Sequence, residues 1–305
     1  MRIMSTNEVT FDQFRHKYHD EASCLSILIS TKWPNGYRCP RCDSPDAHVI
    51  TTRRLPLYEC RNCKYQASLL VGTIMQGSRT LLHKWFQALF LIANPSASIN
   101  AVQLSTIIEV TYKTAWLILH KLRHAIQQGD AEQLLSGLVE VISAAYNPCN
   151  FHIKGFKTMR NEQPFVGGAT LNFGEVAYIK LKHVFIPKHH PNKELSYWDY
   201  SNFIENHVSH SVRVPFIHYG SRKENACDTL NIICDSVPVR INERYYGVSD
   251  KHLQSYLDEI SYRINHSFKP NRAVSKLFKL FIGTPAVTYK QLISRKPMCL
   301  HVQVA

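Results

Sequence analysis

The chain is short of acidic residues, with 23 Asp and Glu against 36 Lys and Arg in 305 residues, so its net charge is +13 and its pI about 9.3. It has no apolar run of eighteen residues, which argues against a membrane-spanning helix and a membrane partner. The first residues, Met1 to Glu8, lack the apolar core of a signal peptide. No internal repeat or low-complexity segment is present, so neither a repeat array nor a disordered tract is expected. A paired disulfide framework is missing too, because the nine cysteines are an odd set, which fits a reducing cytosol. These deficits lead us to expect a soluble, cytoplasmic protein. The basic surplus is divided about evenly between the two halves of the chain. That suggests a polyanionic partner touching several parts of it, most simply nucleic acid.

What is present is a core-forming composition, 45% hydrophobic and 11% aromatic. The length suits about two domains and a small metal module. The module is marked by Cys39-Pro40-Arg41-Cys42 and Cys60-Arg61-Asn62-Cys63, two pairs separated by seventeen residues. This spacing is that of a four-thiolate zinc site, each pair forming a knuckle that turns two sulfurs toward one ion. The insert from His48 to Glu59 is rich in β-formers and charges and predicts a hairpin, so the unit reads as a zinc ribbon holding structural Zn2+. Redox-active thiols are the other reading, but a thioredoxin-like motif needs one pair beside a βαβ unit. The remaining cysteines are Cys24, Cys149, Cys227, Cys234 and Cys299.

Before the ribbon, Thr10 caps a short helix carrying Phe11, Phe14 and Tyr18, and an apolar run through Leu25, Ile27, Leu28 and Ile29 follows. Trp33-Pro34-Asn35-Gly36 is a turn into the ribbon, and residues 65–73 read as its closing strand and a turn. Thr80 is expected to start an apolar helix through Leu81, Trp85, Leu89 and Ile92 that Pro95 ends. Two shorter helices follow, one from Ser98 and one from Thr111 to Ile126, with helix-turn-helix proportions. In that motif the start of the second helix enters the major groove, where Tyr112, Lys113 and Thr114 could meet base edges or phosphates. Lys121 and Arg123 are expected to face solvent beside them. The same pattern fits an ordinary amphipathic pair with solvated lysines.

Gln127 to Asp130 marks a boundary, beyond which the texture turns to β at 138–142, 165–171 and 176–185. Residues 200–208 read as helix, 211–217 as extended, and a helix begun by Ser249 carries Leu253, Leu257, Ile260 and Ile264 on one face. The expected class is α+β or α/β. Residues 1–72 hold the N-terminal helix and ribbon, 73–129 the helical region, and 130–305 the mixed-sheet domain with C-terminal helices.

In this order the chain resembles the ISXO-like insertion-sequence transposases. Four stretches carry the likeness: Tyr37 to Cys42 with its later Cys60–Cys63 partner, Gly72 to Phe86, Tyr112 to Arg123, and Tyr246 to Ile260. The resemblance implies a ribonuclease-H-like second domain, a DNA-binding helix-turn-helix, and metal-dependent DNA strand cleavage and transfer. Three acidic or amide side chains would hold two Mg2+ ions that activate the attacking oxygen and stabilise the leaving one. It also implies double-stranded DNA as partner, with element ends among the targets and a homo-oligomer among the assemblies. A DNA-bound form would associate with the nucleoid.

The ligand positions depart from that pattern. The first strand, where the family has Glu-Val-Asp-Glu-Thr-Tyr, reads Glu140-Val141-Ile142-Ser143-Ala144-Ala145-Tyr146. Residues 212–220 offer no carboxylate for the second ligand, and the third element reads Ala226-Cys227-Asp228-Thr229-Leu230-Asn231. Glu140 shares a strand face with position 142 and is a substitute ligand or a carboxylate on the sheet rim. Asp228 is the other candidate; Glu224 and Asp235 read as solvated, and His183, His189, His190 and His218 show no paired ligand spacing. The expectation is a transposase-related DNA-binding protein without strand-transfer activity, Mg2+ entering only if catalysis is retained. An active transposase with displaced carboxylates and a zinc-ribbon interaction module are the alternatives.

Overall fold

A computed structural model of the chain describes residues 9–94, 99–148, 162–186, 195–219, 226–267 and 270–294. It divides into two units, Met1–Ala125 with Lys269–Leu292, and Ile126–Phe268 with Ile293–Ala305. The expected stop at Pro95 and start at Ser98 lie outside the described residues, as do Cys149, Cys299, Glu224, His189 and His190.

In the first unit, Thr10 caps α1 (Phe11–Lys17) as expected, accepting the Gln13 amide while Gln13 accepts that of Thr10. The apolar run is a second helix, α2 (Glu21–Lys32), because Asp20 and Ser23 form another reciprocal cap. The ribbon is an antiparallel meander of β1 (Ala47–Ile50), β2 (Leu57–Cys60) and β3 (Gln66–Ser68). Helix α3 (Leu82–Ala93) starts two residues after Thr80, because its cap comes from far away: Glu21 Oε1 accepts the Leu82 amide at 2.6 Å. Helices α4 (Ala101–Ile107) and α5 (Tyr112–Ala131) follow, α4 capped by Asn100. Helix α5 runs through Gln127–Asp130, where the sequence placed a boundary, and the two units divide just before it, between Ala125 and Ile126.

Aromatic side chains tie these helices together. Phe14 lies 4.6 Å from Phe90, Tyr18 5.5 Å from Phe86, and Phe86 4.9 Å edge-on to Phe278. Phe278 belongs to α9 (Pro270–Gly283), so residues 269–292, including α10 (Tyr289–Leu292), belong to the first unit and not to the mixed-sheet domain.

The second unit has one sheet in the order β6-β5-β4-β7. Strands β4 (Leu138–Tyr146), β5 (Gln163–Asn172) and β6 (Glu175–His183) are antiparallel neighbours. After α6 (Tyr197–His207), β7 (Phe216–His218) pairs parallel to β4. It is shorter than the extended stretch expected over 211–217. Adjacent glycines in β5 set the layers. A Cβ on Gly167 would stand 2.5 Å from Cys234 Sγ of α7 (Asp228–Tyr245), and one on Gly168 2.6 Å from the Phe203 ring of α6. Successive strand residues point to opposite faces, so α6 and α7 cover opposite sides. Helix α8 (Asp250–Asn265) joins α7, burying Leu253, Leu257 and Ile260 with Leu230, Cys234, Val237 and Ile241. The mixed α/β architecture expected from sequence is therefore present.

Inside this unit Lys182 bridges two carboxylates, Asp130 at 2.7 Å and Asp258 at 2.6 Å. Lys180, fully buried, donates to the Asp130 carboxylate and carbonyl, and the Tyr178 hydroxyl completes the Asp130 shell. Burial opposes the Asp130 charge, but Lys182 and Lys180 outweigh it and hold its pKa below the usual carboxylate value. Asp258 keeps one oxygen without a hydrogen bond among the described residues, and its complete burial raises its pKa.

Removing one partner from such a cluster leaves a buried charge uncompensated. Lys182→Met should cost about 3–5 kcal/mol in urea unfolding, against near-zero cost for an exposed lysine such as Lys251. Nearby His207, half-buried and next to Lys182 and Lys180, has its pKa lowered by desolvation to about 3. The unfolded imidazole therefore takes a proton that the folded one refuses. Stability should be complete above pH ~6.5 and fall as pH drops toward 3. In His207→Leu, the decline in urea midpoint between pH 7 and 4 should be shallower.

Candidate metal centre and nucleic-acid interface

The four expected zinc ligands converge. All four sulfurs of Cys39, Cys42, Cys60 and Cys63 lie within 4.8 Å of one another, the Cys39–Cys63 and Cys42–Cys60 pairs each at 3.6 Å. A tetrahedron with Zn–S of about 2.3 Å has sulfur edges of about 3.8 Å, so the donor set fits the ion. The two knuckles are alike in backbone. Asp43 donates to the Cys39 carbonyl and Lys64 to that of Cys60, and both donors stand at positive φ, 56° and 58°. Burial opposes the Cys39 thiolate, but the Arg41 and Cys42 amides outweigh it and lower its pKa to about 6. The Cys63 amide similarly favours the Cys60 thiolate.

The ribbon is seated by an aromatic triad and one half-buried lysine. Tyr37 stacks on Tyr58 at 5.2 Å, with Trp33 edge-on to both. Lys32, last in α2, donates to the carbonyls of Ser68, Leu69 and Val71 at 3.3, 2.7 and 2.6 Å, and burial lowers its pKa to about 8.

Beyond α3 the turn between α4 and α5 is short. Glu109 has φ of 53°, and Lys84 Nζ donates to its carbonyl at 2.8 Å. Thr111 Oγ1 accepts the Thr114 amide at 3.3 Å, capping α5 as expected. Tyr112 is 53% exposed, Lys113 is exposed, and Thr114 is half-buried with its hydroxyl 3.0 Å from that of Thr111. The expectation for Lys121 and Arg123 is corrected: they are 7% and 1% exposed and do not face solvent. Lys121 Nζ donates to the Ile74 carbonyl at 2.7 Å, and burial lowers its pKa. The physical reason is that α5 is buried at every residue from Ile118 to Ile126, His120 and His124 included. Its polar side chains there are enclosed along with the apolar ones.

The two acidic candidates meet at one end of α7. Glu140 Oε2 accepts the Cys227 amide at 2.8 Å and lies 3.7 Å from His218 Nε2. Asp228, the next residue, is exposed in the first turn of α7. Ile142 shares the Glu140 face of β4 and is fully buried in the apolar core with Phe165 and Leu181. Asp235 is exposed on α7, and His183 ends β6 with its pKa lowered by burial. Among the described residues, the four cysteines are the one group of three or more side chains placed to hold a metal.

Sequence reasoning missed a cavity of about 220 Å³ in the first unit, lined by Arg15, His19, His83, Lys84, Gln87 and Glu109 together with the apolar Ile107 and Ile108. No spacing pattern signals it, since α1 and α3 are brought together by packing between distant segments. No helix among the described residues is long and apolar enough to cross a membrane.

Residues 19–66 match the family model described as a transposase zinc-ribbon domain, of the IS1595 type. An uncharacterized protein in the transposable element ISH50 of Halobacterium salinarum is 27% identical over 146 residues, which are 47% of this chain and 46% of that protein. The chain thus spans about half the length of the curated relative it matches. No solved structure matches.

The purified protein should carry one zinc ion per chain, lost when Cys39→Ser and Cys60→Ser are combined. Such sites are worth on the order of 10 kcal/mol in small peptides, so chelation should unfold the ribbon locally. Stoichiometric metal retained by the double variant would contradict the assignment.

Proposed function

We propose that this transposase-like, insertion-sequence chain binds double-stranded DNA, element ends included, and does not itself cut or join strands. The observation that carries the reading is the exposed start of α5, with Tyr112 and Lys113 at its first turn, in the same unit as a transposase zinc ribbon. As a helix-turn-helix, α4 and α5 would set that turn in the major groove. Lys113 then supplies phosphate affinity, while Tyr112 and Thr114 bear on sequence choice. Lys121 and Arg123 serve packing in this reading. The net charge of +13 supports a polyanionic partner.

The second unit is read as a ribonuclease-H-like domain, supported by three antiparallel strands, a helix, and a fourth strand parallel to the first. Two-metal chemistry there needs several anionic oxygens around two divalent ions. Ile142 supplies none, Ser143 a neutral one, and β7 carries Phe216, Ile217 and His218. Glu140 is engaged by an amide and lies beside an imidazole, and Asp228 stands exposed.

Duplex binding should weaken as salt rises, and Lys113→Ala should weaken it across sequences and lower the log–log salt slope by about 1. Salt-independent association would favour a protein-interaction module instead. Magnesium-dependent cleavage of end-containing DNA that disappears in both Glu140→Gln and Asp228→Asn would establish an active enzyme with displaced carboxylates.

A further inference from the structure

The cavity between α1, α3 and the α4–α5 turn holds more positive than negative side chains. Arg15 comes from the last turn of α1, His83 and Lys84 from the first turn of α3, and His19 from the link after α1. Glu109 is the acidic side chain among the lining residues, and it is exposed. Arg15 is exposed and has no carboxylate partner among the described residues. Gln87 is 5% exposed and lines the cavity, where its side-chain amide makes no hydrogen bond among the described residues and stays open to solvent. His83 Nδ1 is buried without a hydrogen-bond partner among the described residues. Leaving that buried nitrogen unpaired is unfavourable.

We propose that this cavity receives one backbone phosphate of duplex DNA, with Arg15 as its charge partner and Gln87 as a neutral donor. This inference rests on the DNA-binding reading above and adds a second anchoring point to it. A phosphodiester suits the cavity because it is a compact anion rich in acceptors, and Arg, Lys and amide groups offer complementary donors. Its volume of about 220 Å³ admits a phosphate group but not a stacked base pair. Its position fits as well. Lys84 lines the cavity and also holds the Glu109 carbonyl, so a phosphate seated there abuts the turn that leads directly into Tyr112 and Lys113. Helix-turn-helix proteins commonly cross the backbone with one element while another reads the groove. His83, whose burial and the Lys84 charge outweigh the pull of Glu21 and Asp20 and lower its pKa, would gain an anionic neighbour.

The test compares the full-length, zinc-loaded chain with Arg15→Gln, Glu109→Gln, Lys17→Gln and Lys113→Ala, using a mixed-sequence duplex across a salt series. Zinc content and melting temperature check that each variant folds. Arg15→Gln should bind roughly tenfold more weakly near 0.1 M salt, with the log–log slope reduced by about 1. Glu109→Gln should bind more tightly, and Lys17→Gln, outside the cavity, should change binding less than Arg15→Gln. In a second measurement, inorganic phosphate should shift the His83 imidazole resonances of the parent chain and not those of Arg15→Gln. If Lys113→Ala weakens binding and Arg15→Gln does not, the cavity assignment falls while the DNA reading stands. Equal losses in Lys17→Gln and Arg15→Gln would mean diffuse surface charge and overturn the cavity. A parent chain with no salt-dependent DNA binding overturns both readings, and phosphate binding in that case would mark a site for free phosphate.

Discussion

Four sulfurs stand in for a hydrophobic core in the ribbon. Between residues 37 and 68 the buried apolar side chains are Cys39, Leu57, Cys60 and Ala67, and two of these belong to the four-cysteine cluster placed to hold a metal. A segment this small cannot offset its conformational entropy by burial alone, and below about 40 residues a metal or disulfide normally supplies the difference. The rest of the ribbon follows from the convergence of the knuckles. Each knuckle drives the residue after its second cysteine to positive φ, and β1 and β2 pair so that Ala47 lies opposite Cys60. Lys32 then fixes the outgoing chain by donating to three carbonyls. The metal centre therefore governs local folding directly and the seating of the ribbon on α2 indirectly.

The parts legible in sequence were those encoded over short separations. Two Cys-x-x-Cys pairs fix their own geometry, and Thr10 and Thr111 cap helices through contacts three residues away. Alternation exposed β6, and helical spacing exposed Leu253, Leu257 and Ile260 of α8. What the sequence hid depends on distant partners. Lys121 looks like a solvated residue until its acceptor, the Ile74 carbonyl, is found 47 positions away. Glu21 caps α3 across 61 positions, and α9 crosses into the first unit through Phe278 and Phe281.

Helix α7 was obscured for a different reason. Pro238 lies inside it, and proline normally ends a helix because it lacks an amide donor and crowds the preceding turn. Here Leu230, Cys234, Val237 and Ile241 are fully buried on both sides of that proline. Burying four such side chains is worth several kcal/mol, more than the roughly 3 kcal/mol a mid-helix proline costs. The 230–234–237–241 spacing was the available signal, and the proline masked it. Gly167 makes the arrangement possible, since a side chain there would meet Cys234 Sγ.

The same packing bears on the acidic site. On the transposase reading, a catalytic carboxylate belongs at position 142 or 143, yet Ile142 is fully buried among Phe165, Leu181 and the apolar face of α7. Placing a carboxylate there would bury a charge with no cation within the cluster, which neutralises the group or destabilises the fold by several kcal/mol. Glu140, two residues earlier on that face, serves the helix instead, its carboxylate accepting the Cys227 amide at the start of α7. An anion at that helix end is stabilising. On that reading, core packing and helix capping occupy the positions that metal binding would need. An acidic residue at 142 could then hold a metal only if its neighbours gave it room, water and a counter-charge.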